Sequence, residues 1–167
     1  MHVRAHRQIL FAFAILFPLV SAFGQQTSRI SPPNREAIAA VVQELDAAWN
    51  SRDAARFSAV FSPDGSFGFP AEGITLRGHE QIRGYYNKLF AQMPSDLRHV
   101  TTIRDFEVIN PDWVAVEVQV EILGTDPKTG ATQTPLIHYG GMGLGVRTDS
   151  GWRIRLARVY KVAKSGS

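Results

Sequence analysis

The sequence predicts an α+β fold: three N-terminal helices packed in a curved antiparallel sheet, a cone-shaped α+β barrel. Two observations carry this. Apolar residues recur at helical spacing through three segments of the first half. Long runs of period-two alternation, separated by Pro, Gly, Asn and Asp turns, fill the second half. A long twisted sheet curving around amphipathic helices makes a cone.

The first helix is written by Ile38, Val41, Val42, Leu45, Ala48 and Trp49. They form one face, with Glu36, Gln43, Glu44, Asn50 and Arg52 opposite. Asn34 is the expected N-cap. Asp53 is placed to cap a short second helix bearing Phe57, Val60 and Phe61. Ser62-Pro63-Asp64-Gly65 reads as a tight turn, and Ser66 to Phe69 as a short strand. Pro70 to Arg77 is expected as a loop and a second short strand. Gly78-His79-Glu80 opens the third helix, whose apolar face is Ile82, Tyr85, Tyr86, Leu89 and Phe90. Four long strands follow: about 97–109, 113–123, 132–147 and 152–162. In the second of these, Val114, Val116, Val118, Val120 and Ile122 take one face, and Glu117, Gln119 and Glu121 the other.

The chain opens with Arg4 and Arg7, then an apolar run from Ile9 to Val20 and the small residues Ser21, Ala22 and Gly24. This is the pattern of a signal peptide over residues 1–24, cut near Gly24/Gln25. Twelve apolar residues fall short of the ~20 that span a bilayer. The expectation is a secreted or periplasmic protein with no membrane attachment after cleavage. Residues 25–33 read as a disordered linker, 34–163 as one domain and 164–167 as a tail. Without the two leader arginines the net charge falls from +3 to +1, so no nucleic-acid partner is expected. The chain has no cysteine, which excludes disulfides.

Ala48-Trp49-Asn50-Ser51-Arg52-Asp53, then Phe57, Phe61 and Pro63-Asp64-Gly65, resemble the nuclear-transport-factor-two-like superfamily. The closest likeness is to its SnoaL-like group, in the SgcJ/EcaC-type branch. Gly78-His79-Glu80-Gln81-Ile82 and Gly151-Trp152-Arg153-Ile154 extend the resemblance over nearly all of the chain after residue 35. It implies a pocket between the helices and the concave sheet face, and homodimers. It does not imply one activity, since the superfamily holds isomerases, cyclases, dehydratases, binding domains and association domains.

Alternation on the last strand puts Trp152, Ile154, Leu156, Arg158 and Tyr160 on the concave face, with Arg158 and Tyr160 at the pocket or its mouth. Arg158 is a candidate anion or carbonyl clamp; the alternative is an arginine paired with an acid. On the preceding strand, Leu136, His138, Gly140, Met142, Leu144 and Val146 share a face. His138 there is a candidate general acid/base, or else a satisfied core histidine. Gly141, Gly143 and Gly145 share the other face, expected outside. They lie within a strand and do not make a phosphate loop. His79 reads as a cap or surface residue. His99 falls on a strand whose inner face the alternation does not identify. No histidine pair has metal-ligand spacing, and no cofactor motif is present.

The ketosteroid isomerase branch places its base, its first-helix tyrosine and its protonated acid where this chain has Phe69, Leu45 and Gly143, so that machinery is absent. SnoaL-type cyclases use a His/Asp pair. His138 is the candidate for the histidine, with no acid assigned to it.

These readings converge on a small-molecule-binding cone domain for an apolar or amphipathic ligand. Its candidate contacts are Trp49, Phe69, Tyr86, His138, Arg158 and Tyr160. The alternatives are a cofactor-independent acid–base enzyme, with His138 moving the proton, and a homodimeric association domain.

Overall fold

The computed structural model describes residues 32–162. The signal-peptide reading and residues 25–31 of the expected linker lie outside them. The element order is α1 (Pro32–Asn50), α2 (Ala54–Ala59), β1 (Phe61–Phe69), a 3-10 turn (Pro70–Glu72), β2 (Ile74–Arg77), α3 (Gly78–Gln92), β3 (Arg98–Asn110), β4 (Trp113–Gly124), β5 (Thr134–Thr148) and β6 (Gly151–Lys161). Three helices thus lie against a six-stranded curved sheet in the order β2-β1-β6-β5-β4-β3. β1 runs parallel to β6, and every other pair is antiparallel.

One helix boundary differs from expectation. α1 begins at Pro32, inside the segment read as linker, because Pro is well tolerated in a first turn whose N–H groups have no partner. Asn34 is therefore within the helix and does not cap it. Its side-chain oxygen accepts from Arg147 Nη2 at 2.6 Å. Asp53 does cap α2, accepting from the Arg56 amide at 2.9 Å. The expected turn at Ser62–Gly65 lies inside β1, as an irregularity between Phe61 and Ser66 in its pairing with β6.

The helices are tied to the sheet by specific bonds as well as by packing. Asn50 clasps the β3 backbone in both directions: Nδ2 donates to the His99 carbonyl at 2.9 Å, and the His99 amide donates to Asn50 Oδ1 at 2.7 Å. Arg52, held at φ +59°, donates to the Met93 and Pro94 carbonyls at 2.9 and 2.6 Å and so satisfies the end of α3. His79 Nε2 lies 2.8 Å from the Phe61 carbonyl, joining the start of α3 to β1.

The buried core centres on Ala48, Trp49, Phe57, Phe61, Ile82 and Tyr86. A smaller cluster of Ile38, Val114, Val116 and Trp152 closes the other end of α1. Val41, Val42 and Leu45, on the same stripe of α1 as Ile38 and Trp49, are less buried because they face an internal cavity.

Candidate functional site

A cavity of about 270 Å³ lies between the helices and the concave face of the sheet. Its wall is almost wholly apolar. α1 contributes Val41, Leu45 and Trp49, β1 contributes Phe67 and Phe69, and α3 contributes Tyr86. β4 contributes the inward series Val116, Val118, Val120 and Ile122 that its alternation predicts.

Of the six candidate contacts, Trp49, Phe69 and Tyr86 line this space and the other three do not. On β5 the inward series is Ile137, Tyr139, Gly141, Gly143 and Gly145, in register with Ile122, Val120, Val118, Val116 and Val114. His138 is thus on the convex face, opposite Glu121, with Nδ1 3.2 Å from Glu121 Oε1. It cannot act on a ligand in the cavity. The glycines expected outside face inward, and at Gly143 and Gly145 the missing side chains leave the space open. A side chain at Gly143 would meet nothing closer than the Leu156 carbonyl, at 3.6 Å.

Arg158 and Tyr160 are displaced by a β-bulge. Gly145 pairs with Ile154 and Leu144 with Leu156, so Arg155 is the extra residue. Trp152 and Ile154 face inward as expected. Past the bulge the parity reverses, and Ala157 and Val159 line the cavity while Leu156, Arg158 and Tyr160 turn outward. Arg158 donates to the Ser66 hydroxyl at 3.0 Å and to the Ala157 carbonyl at 2.7 Å. Burial, with Arg77 nearby, lowers its pKa. Tyr160 is 50% exposed and lies over Gly140.

The polar chemistry of the wall comes from residues that the sequence reading left open or passed over. His99 and Thr101 line the cavity from β3. Asp46, one turn before Asn50 on α1, reaches both. His99 Nδ1 is 2.7 Å from Asp46 Oδ1, the Thr101 hydroxyl donates to the same oxygen at 2.6 Å, and the Thr101 amide donates to Oδ2 at 2.8 Å. An ionised carboxylate only accepts, so the proton of a neutral His99 sits on Nδ1 and Nε2 is left with a free lone pair. The His99 ring also packs on Trp49, centroids 5.2 Å apart. Asp46 flanks the apolar stripe, three residues before Trp49 and one turn before Asn50, and that placement is the signal for it in the sequence.

The positions matched to ketosteroid isomerase chemistry, Leu45, Phe69 and Gly143, all open on the cavity and none can transfer a proton. Among the described residues no three His, Asp or Glu side chains converge as a metal site would require.

The SnoaL-like domain model matches residues 42–166. No functionally curated protein matches the chain in sequence. Solved structures share the fold. An uncharacterised protein with a cystatin-like fold from Caulobacter vibrioides is 25% identical over 79% of this chain and 92% of its own, with a TM-score of 0.64. A ketosteroid isomerase-like protein from Erwinia carotovora atroseptica is 20% identical, covering 80% and 99%, TM-score 0.62. A nuclear-transport-factor-two-like protein with a cystatin-like fold from Novosphingobium aromaticivorans is 16% identical, covering 80% and 85%, TM-score 0.63. The chain therefore belongs to the SnoaL-like domain family, within the nuclear-transport-factor-two-like superfamily.

Proposed function

We propose that this domain binds a small, largely apolar molecule in its central cavity, with His99 as the polar contact on the α1–β3 wall. The supporting observation is the space itself: about 270 Å³, walled by aromatic and aliphatic side chains and held open by Gly143 and Gly145. That lies just below the roughly 300–1,000 Å³ usual for drug-sized ligands, so the ligand has one or two rings. Titrating the protein with naphthalene while following tryptophan emission tests this, since Trp49 is on the wall. Saturable quenching that disappears in Gly143→Leu supports the reading. Quenching that survives the filled cavity refutes it.

A second reading, cofactor-free acid–base catalysis, is favoured by the Asp46–His99 contact. Nε2 would take a proton from a carbon acid, and the Asp46 carboxylate would stabilise the resulting imidazolium. Deuterium exchange into a small enolisable ketone, followed by NMR, would then be accelerated by the protein and lost in His99→Gln. An unaccelerated rate across a panel of such ketones removes this reading and leaves binding in place.

Two further parts of the proposal stand apart from the cavity. Export across a membrane rests on residues 1–24. Self-association rests on the convex sheet face, where Met142 and Tyr160 are exposed.

A further inference from the structure

A second hollow lies where α1, α2 and β6 meet. It is a groove of about 350 Å³, within the roughly 300–1,000 Å³ usual for small-ligand sites. Val60 and Trp152 are its buried apolar residues, and the small side chains of Ala40 and Ala59 leave it room. Val41, Trp152 and Arg153 border the central cavity as well, so they form the wall between the two spaces.

Three charged side chains stand around the groove: Glu44 on α1, Arg56 on α2 and Arg153 on β6. Glu44 and Arg56 satisfy each other. Arg56 donates through Nε and Nη2, the side-on fork of its guanidinium, to the two carboxylate oxygens, with Nη2 2.7 Å from Oε2. Those bonds hold the Glu44 carboxyl below the usual carboxylate range. Arg153 has no such partner. No carboxylate among the described residues pairs with it.

The backbone explains how Arg153 is held. β1 joins β6 only from the Phe61–Ile154 pair onward, and the Ile154 amide donates to the Val60 carbonyl at 3.0 Å. Before Ile154 that edge of β6 has no strand beside it. The Trp152 carbonyl there takes its hydrogen bond from Arg153 Nη1, at 2.8 Å. One end of the guanidinium is therefore fixed. The side-on fork, Nε and Nη2, makes no hydrogen bond to a described residue. In the same groove, the fork of Arg56 shows what such a group takes: a carboxylate.

We propose that this groove binds a small amphiphilic carboxylate. The carboxylate sits on the Nε/Nη2 fork of Arg153, and the hydrocarbon body lies on Val60 and Trp152. Charge selects the ligand. Two guanidiniums and one carboxylate line the groove, which leaves one positive charge uncompensated among its lining residues. A monoanion neutralises that charge and offers two acceptors to the fork, whereas an amide is uncharged and offers one. The site stands whatever the central cavity binds.

Hexanoate and hexanamide are matched probes, titrated while the Arg153 Nε–H resonance is followed by NMR. Hexanoate is expected to move that resonance and to bind about tenfold more tightly than the amide. Arg153→Gln should remove the preference. Ala40→Trp, at an exposed position of α1, should abolish hexanoate binding by filling the groove with Arg153 intact. Gly143→Leu, which fills the central cavity, should leave it unchanged. Equal affinities for the two probes, or no saturable shift with hexanoate, would overturn the proposal. So would hexanoate binding that survives Ala40→Trp and is lost in Gly143→Leu, because Arg153 would then serve the central cavity.

Discussion

His99 Nδ1 lies 2.7 Å from Asp46 Oδ1, joining a strand at the edge of the sheet to the C-terminal part of the first helix. The same carboxylate holds Thr101 by its amide and its hydroxyl. One side chain therefore fixes both polar residues of this wall and leaves His99 Nε2 without a hydrogen bond among the described residues.

Replacing Asp46 by Ala should accordingly be costly. It leaves the Thr101 amide and hydroxyl and the His99 Nδ1 proton without their acceptor. A loss of about 1–3 kcal/mol is expected from urea unfolding. His99→Gln should cost less, because the carboxylate keeps both bonds from Thr101. Equal losses for the two variants would show that the histidine contact carries the stability.

The inward glycines of β5 separate cavity from core. Gly143→Ala should be tolerated or stabilising, by up to about 1 kcal/mol, since its Cβ enters open space and Gly weakens a strand. Gly141→Ala should destabilise, because its Cβ would stand 2.9 Å from Val159 Cγ1 and 3.0 Å from Val118 Cγ2. Thermal unfolding of the two variants checks the order. The reverse order would mean that the space at Gly143 is not open.

These glycines also explain what the sequence did and did not disclose. The helices, the α+β layout and the inner face of β4 follow from periodicity, because their buried positions are filled by apolar side chains. On β5 the apolar set Leu136, Met142, Leu144 and Val146 points outward, and the inward set includes three glycines. Hydropathy tracks side chains, so it misreads a strand whose function is to leave room. On β6 the alternation is cut by one extra residue, Arg155, and on β3 by two, Arg104 and Ile109, each at a register shift in the pairing. A bulge reverses every later side chain and has no compositional mark here. That is why simple alternation puts Arg158 and Tyr160 inside, and why it does not settle the face of His99.

Tyr86 should make the protein sensitive to alkali. Its phenol is raised well above the ordinary value by burial, so above about pH 10 the unfolded chain ionises this group while the native chain keeps it protonated. The unfolded state then binds fewer protons, and stability falls as pH rises from the unfolded value toward the native one. The slope from this one group approaches about 1.4 kcal/mol per pH unit. Urea midpoints between pH 8 and 11 should fall less steeply for Tyr86→Phe than for the wild type. Parallel curves would contradict a sealed phenol.

The central claim is that the apolar cavity between the helices and the concave sheet is where this protein meets its ligand. The most direct measurement is the set of intermolecular NOEs between naphthalene and the protein with its aromatic and methyl groups assigned. NOEs to Trp49, Phe69, Val118 and the His99 ring are the expected result. NOEs confined to Met142, Tyr160 and the His138 ring would put the ligand on the convex face and contradict the account.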